Sequence, residues 1–182
     1  MLEHGRITLL YGLDCINVGS AMTDDLQLIN ITPENVTLVA PLFDAYRQFY
    51  RQTSDLEGAR QFLFERLQRG ESVIFAMIEN EIALGFTQLY PSFSSVSMKP
   101  IWILNDLFVS EQARRRGIGA RLLLAARDHA MQTGAVRLEL STAVENVTAQ
   151  ALYEQGGWQK DTDFLHYKSE LPSGFNNSSK AE

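Results

Sequence analysis

The spacing of hydrophobic and polar residues between 26 and 171 predicts a domain that mixes helices and strands. Apolar residues at roughly helical intervals predict one helix that starts at Thr32-Pro33 and runs to Tyr50. Pro41 should kink or split it, because proline cannot continue the backbone hydrogen bonding of a helix. A second helix is predicted over 56–69, started at Ser54-Asp55 and ended by Gly70.

The remaining pattern predicts strands and two further helices. The helices are predicted over 121–133 and 145–155. Strands are predicted over 26–32, 72–79, 82–90, 101–109 and 136–143, with one or two more over 158–161 and 164–171. Asn80-Glu81 joins two of them in a short hairpin, and 91–99 is a polar loop. A helix connects 101–109 to 136–143, so these two strands should be parallel in an otherwise mixed α/β sheet.

Composition narrows the class of protein. The 182 residues favour a single domain, and 45% hydrophobic with 21% charged residues is typical of a globular protein. A net charge of −6 gives the whole chain no electrostatic reason to bind nucleic acid or an anionic membrane. Cys15 is the one cysteine, which excludes a disulfide within the chain and makes a thiolate metal site improbable, so no metal is expected.

The two ends of the chain carry weak signals. Residues 1–25 are expected to be a weakly ordered extension, and 172–182 a flexible polar tail, on either side of a domain over 26–171. No apolar run approaches the roughly 18 to 20 residues that span a bilayer, and no cleavage pattern is convincing. A cytoplasmic location follows by default.

One short run, QARRRGIGA over 112–120, combines dense positive charge with two glycines at the start of a helix. The first amides of a helix have no acceptor within it and carry partial positive charge, so they bind phosphates well. Gly117 and Gly119 would let a phosphate approach the backbone, and three arginines add charge. The run therefore predicts a pyrophosphate cradle. A solvated basic loop would explain the arginines but not the paired glycines.

The cradle does not fit the common nucleotide motifs. A P-loop needs Gly-Lys-Ser/Thr, which is absent, and Leu122 stands where a dinucleotide-binding fingerprint needs a small residue. The stretch DLFVSEQARRRGIGARLL instead resembles the signature of the GNAT superfamily of N-acetyltransferases, and ENVTAQALYEQGGW resembles a second segment of that family. The resemblance implies the GNAT fold: a mixed, mostly antiparallel sheet with a splayed central parallel pair and helices on both faces.

The resemblance also implies where acetyl-CoA, the expected co-substrate, would bind. The backbone of the central strand would pair with the pantetheine arm, and the turn into the next helix would hold the pyrophosphate. Asn146 would bond the pantetheine or cap its own helix, and Asn suits the cap equally well. The expected cofactor-binding residues are Leu107, Phe108, Val109, Arg114, Arg115, Arg116, Gly117, Ile118, Gly119, Ala120 and Asn146.

Two residues are candidates for proton transfer. Tyr153 matches the family tyrosine that protonates the departing thiolate, and a phenol is a suitable acid for a thiol. The alternative is a core tyrosine that packs beside Leu152. Asp106 is the one acid on the central strand and could take the proton of the amine, or be a buried structural acid. Strand alternation would place Asp106 on the same face as Leu104 and Phe108, with Asn105 on the other.

The acceptor pocket is expected between the first two helices and the 91–100 loop. Tyr46, Phe49 and Tyr50 could form an aromatic wall for a cation, although aromatics at helical spacing are more often core. Tyr90 and Asn105 are further candidates, and Asn105-Asp106 stands where polyamine acetyltransferases commonly have an acid pair.

The predicted function is acetyl transfer from acetyl-CoA to a primary amine, most simply that of a small molecule such as a diamine, polyamine, amino acid or amine drug. One alternative is a protein lysine or N-terminal acetyltransferase. Another is a non-catalytic acetyl-CoA sensor, against which the presence of Tyr153 argues. No nucleic acid or membrane partner is expected. Because the family often forms dimers, a homodimer is one expectation.

Overall fold

A computed structural model describes residues 26–171. This part of the chain contains four α-helices and five strands. The strands are β1 (Gln27–Ile31), β2 (Val73–Glu79), β3 (Ile82–Ser94), β4 (Lys99–Val109) and β5 (Leu138–Leu140). The helices are α1 (Ala40–Phe49), α2 (Leu56–Gln68), α3 (Ile118–Gln132) and α4 (Val147–Gln155), with short 3₁₀ segments at Pro33–Leu38 and Glu111–Ala113.

The strands form one sheet in the order β1-β2-β3-β4-β5. The first four strands pair antiparallel with their neighbours in sequence order. Short turns join β2 to β3 and β3 to β4, and the chain from β1 to β2 passes through α1 and α2. The crossover through α3 makes β4 and β5 parallel, as the sequence predicts. The mixed sheet with helices on both faces confirms the predicted fold class.

The sheet separates two apolar layers. On one face, α1, α2 and the first 3₁₀ segment cover Ile74, Ala76 and Phe86. On the other face, Leu122 and Leu123 of α3 pack against the central strands. No helix within residues 26–171 is long and apolar enough to cross a membrane.

Local sequence signals explain most element boundaries. Asp55 accepts a hydrogen bond from the Gly58 amide at 2.9 Å and so caps α2. Asn80 and Glu81 both have positive φ, which is the geometry of a tight hairpin turn. Pro41 lies in the first turn of α1, where the missing N–H costs nothing, so the predicted single helix is divided just before it.

A β-bulge at Asn105 contradicts the predicted alternation along the central strand. Gln88 of β3 lies opposite Asp106, but the next residue, Leu89, lies opposite Leu104, so Asn105 is an extra residue in β4. Leu104 consequently packs against α3, whereas Asp106 shares its face with Phe108 on the α1 side. The prediction that Leu104 and Asp106 share a face is wrong, because one inserted residue reverses the side-chain direction.

Three predicted boundaries also differ from the structure. The 91–99 stretch is not all loop, because β3 continues to Ser94 and pairs with the start of β4. The strand predicted over 136–143 is reduced to three residues. The strands predicted over 158–161 and 164–171 are absent from the described residues, where this stretch has no regular secondary structure. The expectations for 1–25, including Cys15, and for 172–182 lie outside the described residues.

Candidate active site

The parallel strands β4 and β5 separate near the middle of the sheet. Their register covers only Trp102 to Leu104 of β4, although β4 continues to Val109. Ser110 donates from its amide to the Leu84 carbonyl of β3, at 2.8 Å, so the alternate positions 106 and 108 also face β3. The backbone groups of Leu107 and Val109 therefore point toward the opening between β4 and β5. The bulge at Asn105 sets this orientation.

The turn into α3 presents a cluster of backbone donors. Gly117 precedes the helix with φ of +74°, a conformation that favours glycine. The Arg121 amide donates to the Gly117 carbonyl at 3.1 Å. The preceding amides of Ile118, Gly119 and Ala120 consequently have no acceptor within the helix. These donors fit a diphosphate, and the partial charge of the helix end adds to the attraction.

The three arginines differ in their surroundings. Arg116 forms a two-point ion pair with Glu79 at the end of β2, with Nη1 to Oε2 at 3.1 Å, and this pairing lowers the pKa of Glu79. Arg114 lies 4.0 Å from Glu111, and both side chains are exposed. Arg115 adopts positive φ. The ion pair of Arg116 ties the turn to the sheet, a role that the sequence alone did not indicate.

Gly119 lies where α3 contacts α4. A Cβ atom at Gly119 would lie 3.0 Å from Leu152, so the glycine allows α3 and α4 to approach closely. Leu152 precedes Tyr153, so this contact fixes the position of the tyrosine. At the other end of α4, the Asn146 side chain accepts from the Ala149 amide at 3.2 Å. Asn146 therefore caps α4, which is one of its two predicted roles.

Asp106 lies in a cluster of polar and aromatic side chains on the α1 face of the sheet. Its side chain is buried, with the residue only 5% exposed. Burial raises the pKa of the Asp106 carboxyl, and hydrogen bonds from Tyr46 and from Asn105, the latter at 3.1 Å, oppose that rise. Tyr90 faces the same carboxyl. Its own burial, and secondly the charge of Asp106, raise the pKa of Tyr90 to about 12.

Aromatic rings extend this cluster toward α4. The rings of Tyr46 and Phe108 lie 5.7 Å apart, and those of Tyr46 and Tyr50 lie 5.1 Å apart. Tyr50 is largely exposed. The charge of Tyr50 adds, after burial, to the rise in the pKa of Tyr153 on α4. The cluster thus runs from the buried Asp106 through Tyr46 to the exposed Tyr50.

Burial raises the pKa of the Tyr153 hydroxyl, and a hydrogen bond with Thr142 opposes the rise. The phenol therefore stays protonated at neutral pH and can act as a proton donor. Its ring packs beside Trp158 at 6.1 Å, which fixes its orientation. Thr142 lies two residues beyond the end of β5, so the tyrosine hydroxyl faces the end of the strand that borders the opening.

Gln88 is a residue of this region that the sequence analysis missed. It lies opposite Asp106 in the β3–β4 register and is fully buried. Among the described residues, neither its Nε2 nor its Oε1 atom has a hydrogen-bond partner. A buried amide without partners costs about 1–3 kcal/mol, so a purely structural role explains it poorly. The polar pair Thr87-Gln88 within the apolar run of β3 was the available signal.

The structure thus brings most of the predicted site residues to one edge of the sheet. Leu107 and Val109, the turn at Gly117, and Tyr153 border the opening. Asp106, Asn105, Tyr50 and Tyr90 lie together on the α1 side. The ring of Phe108 packs against Tyr46 in this cluster, and the backbone of Phe108 pairs with β3. His129 stands apart, packed between Phe75 and Trp102, where burial lowers its pKa.

Residues 39–158 match the family model described as the acetyltransferase (GNAT) family. The chain is 57% identical over 158 residues to the uncharacterized N-acetyltransferase YhfO of Bacillus subtilis, which covers 87% of this chain and 99% of the relative. It is 29% identical over 102 residues to an aminoglycoside N(6′)-acetyltransferase of Serratia marcescens, covering 56% and 64% of the two chains.

A solved crystal structure agrees in fold as well. It is described as that of a probable acetyltransferase, with a TM-score of 0.76 and 44% sequence identity, and the match covers 81% of this chain and 99% of the other. Within residues 26–171, no group of three or more His, Cys, Asp or Glu side chains could hold a metal ion.

Proposed function

Because this chain belongs to the GNAT acetyltransferase family, and so is an acetyl-CoA-dependent N-acetyltransferase, we propose that its acceptor is the primary amine of a small cationic molecule. The acceptor classes that fit are diamines, polyamines, amino acids and amine drugs. The observation that carries the proposal is the buried carboxyl of Asp106 among aromatic side chains. The similarity to an aminoglycoside acetyltransferase supports an amine of this kind.

The acid and the aromatic rings together suit a substrate with positive charge. An ammonium group gains from the carboxylate of Asp106 and from the faces of nearby rings, which attract cations by about 0.5–2 kcal/mol. Tyr50 is exposed enough to contact an incoming molecule. Tyr90 and Asn105 add a hydroxyl and an amide beside the same carboxyl. Tyr50, Tyr90 and Asn105 are therefore the proposed acceptor-binding residues.

Asp106 is the proposed proton acceptor. An ammonium group must lose a proton before its nitrogen can attack, and a carboxylate can take that proton directly or through one water molecule. Burial raises the pKa of Asp106, which makes its carboxylate a stronger base than an exposed aspartate. Tyr46 and Asn105 hold the carboxyl in place through their hydrogen bonds.

Acetyl-CoA fits the opening between β4 and β5. The co-substrate supplies its acetyl group as a thioester. The backbone of Leu107 and Val109 can pair with an extended chain, and the amides of Ile118, Gly119 and Ala120, with Arg114 and Arg115 nearby, can hold its diphosphate. Arg116 positions the turn through Glu79, and Asn146 supports the helix that carries Tyr153.

Tyr153 is the proposed acid for the departing thiol. The amine nitrogen forms its bond to the acetyl carbon, the carbon–sulfur bond breaks, and the phenolic proton goes to the sulfur. The nitrogen loses one proton to Asp106 before it attacks and a second proton as the amide forms. The second proton restores the phenol of Tyr153, and Asp106 releases the first proton to solvent. A phenol kept protonated by burial is suited to this step.

A panel of amines tests the proposal. Release of free thiol from acetyl-CoA is followed with diamines, polyamines, amino acids, aminoglycosides, and peptides with a free N-terminus or lysine. We expect turnover with small cationic amines and little with peptides. Turnover with peptides alone would favour the protein acetyltransferase, and cofactor binding without any turnover would favour the sensor. A homodimer is the proposed assembly.

A further inference from the structure

Gln88 is enclosed on the α1 side of the sheet, directly beside Asp106. The strand register pairs Gln88 with Asp106 of β4 on one side and with Ile74 of β2 on the other. Cross-strand partners share a face of the sheet, and Ile74 belongs to the core beneath α1 and α2. The side chain of Gln88 therefore lies in the same buried layer as the carboxyl of Asp106.

The side-chain amide of Gln88 takes no part in holding the fold together. Gln88 is fully buried, and neither its Nε2 nor its Oε1 atom has a hydrogen-bond partner in the part of the chain that the structure describes. Directly opposed residues of antiparallel strands have Cβ atoms about 4.5–5.5 Å apart. A glutamine side chain can cover that distance by rotation about its single bonds. Gln88 can therefore reach Asp106 without any movement of the backbone.

The backbone at this pair is held in place from both strands. The Thr87 hydroxyl donates to the Asp106 carbonyl at 3.0 Å, and both residues are buried. The bulge at Asn105 follows at once, because the register shifts between Gln88 and Leu89. Bulges beside active sites commonly redirect a side chain. A substitution at position 88 should consequently act on the side chain of Asp106 and leave the course of β4 unchanged.

The hydrogen bonds that Asp106 makes in the structure stabilise its charged form. Tyr46 and the Nδ2 atom of Asn105, the latter at 3.1 Å, donate to the carboxylate. Once the carboxyl has taken a proton, it becomes a donor and needs an acceptor. The ionisable groups that face it are Tyr46 on α1 and Tyr90 on β3, and both keep their protons because burial raises the pKa of each hydroxyl. Gln88 Oε1 is a buried acceptor to which no group of residues 26–171 donates.

We propose that Gln88 is a positioning residue for acetyl transfer, whose Oε1 atom accepts a hydrogen bond from the Asp106 carboxyl once that carboxyl holds the proton of the amine. The inference rests on the proposed role of Asp106 as the base. The proton stays on Asp106 in this step, and only a hydrogen bond forms. When Asp106 releases the proton to solvent, the bond is lost and the amide of Gln88 returns to the position seen in the structure.

A titration of Asp106 in the absence of substrate tests the hydrogen bond. The NMR signal of its carboxyl carbon is followed against pH in the wild type and in Gln88→Met, with Asp106→Asn for assignment. Loss of the acceptor makes the protonated carboxyl less stable, so the titration midpoint should fall by about 0.5–1 pH unit, as expected for one hydrogen bond. The lower polarity of methionine would by itself raise the midpoint. An unchanged or raised midpoint therefore overturns the proposal.

Ser72→Ala is the matched control for the loss of a buried polar group. Ser72 is buried and its hydroxyl also lacks a partner among the described residues, but it lies just before β2, and β3 separates it from Asp106. Its removal should leave the midpoint of Asp106 where it is in the wild type. An equal fall in Ser72→Ala would also overturn the proposal, because the effect would then not require the residue opposite Asp106.

Kinetics decide whether this hydrogen bond serves the reaction. In Gln88→Met, the acidic limb of kcat/KM for the best amine should move to lower pH by the same amount as the NMR midpoint. The kcat at the optimum should fall about 5- to 10-fold, with the KM for acetyl-CoA unchanged. A midpoint that falls while the limb stays fixed would overturn the role of Gln88 in turnover. Failure of the proposed base has a different signature, because Asp106→Asn would then keep its kcat/KM whatever the midpoint does in Gln88→Met.

Discussion

Two buried aspartates on the same side of the sheet have opposite environments. Asp44 and Asp106 are each 5% exposed. Asp44 accepts hydrogen bonds from the Asp55 amide at 2.9 Å, Ser54 at 2.7 Å, Gln48 at 3.0 Å and Arg47 at 3.1 Å. These bonds, with that of the Asp55 amide first, lower the pKa of Asp44. Burial raises the pKa of Asp106, and Tyr46 and Asn105 offset only part of that rise.

The difference separates a structural acid from a candidate catalytic one. Asp44 joins the end of α1 to the start of α2, and its charge is neutralised by partners that the fold supplies. Asp106 lies beside Gln88, whose amide has no hydrogen-bond partner among the described residues, and beside the opening of the sheet. Groups whose charged form is poorly supported in the free protein are characteristic of sites that act on a substrate.

The largest expected effect is on turnover. Asp106→Asn should lower kcat/KM for the best amine by about 10²- to 10³-fold, because a positioned base contributes on that scale. Asp44→Asn, at a position equally buried, should change kcat/KM by no more than several-fold once the protein is folded. The measurement is initial rate against amine concentration. Equal losses in both variants would remove the distinction between the two acids.

Tyr153→Phe should lower kcat by about 100-fold and leave the KM for acetyl-CoA nearly unchanged, because the phenol acts only as the thiol departs. Tyr167→Phe is the matched control, since that tyrosine is exposed on the C-terminal segment. The check is thiol release with acetyl-CoA concentration varied. A Tyr153→Phe enzyme with full kcat would assign the tyrosine to packing beside Trp158.

Stability against pH should distinguish the two acids in sign. The pKa of Asp44 is lowered by folding, so its contribution is present above the unfolded pKa and lost as pH falls through the folded pKa. Asp44→Asn should lower the Tm at neutral pH by about 5 °C, a difference that shrinks in acid.

The pKa of Asp106 is raised by folding, so ionisation destabilises the protein as pH rises through the folded pKa. Asp106→Asn should keep or raise the Tm at pH 7 to 8, and any gain should fade below the unfolded pKa. Thermal unfolding from about pH 2 to pH 8 measures both trends, because the range has to include the unfolded pKa of about 3.9 and the pH below it. A large loss of Tm at neutral pH in Asp106→Asn would make Asp106 structural.

A smaller effect concerns Gln88. Gln88→Met keeps the volume nearly constant and removes a buried amide that lacks partners. We expect the Tm to rise by about 2–4 °C while kcat/KM for the amine falls. Gln61→Met is a control, because that glutamine is exposed on α2. A destabilised Gln88→Met variant with unchanged kinetics would mean that the amide serves the fold.

The smallest expected change is a shift in the pH profile. The Tyr46 hydroxyl donates to Asp106 and so lowers the pKa of that carboxyl. Tyr46→Phe removes the bond, raises the pKa further, and should move the acidic limb of kcat/KM to higher pH. Ionisation of the amine substrate also affects kcat/KM, but its pKa is the same in both enzymes when the same amine is used. An unshifted acidic limb would mean that another group provides the base.

The order of helices and strands along the chain and the glycine turn before α3 could be predicted from the sequence, because both depend on local signals. Gly117 requires positive φ, and Asn146 caps the helix that it precedes. What the sequence could not show depends on distant partners. The bulge at Asn105 depends on how β3 pairs with β4, and it reverses Leu104 relative to Asp106. The ion pair of Arg116 with Glu79, and the bond from Tyr46 to Asp106, join residues far apart in the chain.

The C-terminal stretch gives the complementary lesson. Its alternation predicts a strand, but a strand forms only against a partner, and residues 164–171 have none within the described chain. Pattern alone indicates that a segment is suited to a sheet, and it does not identify the strand edge with which the segment pairs.

The ionisation of Asp106 itself tests the central claim most directly. Carboxyl carbons of aspartate can be followed by NMR through a pH titration, with Asp106→Asn and Asp44→Asn used to assign the two signals. We predict that Asp106 titrates above the ordinary range near pH 3.9, and Asp44 below it. An Asp106 carboxyl that titrates at or below the ordinary value would contradict its assignment as the base.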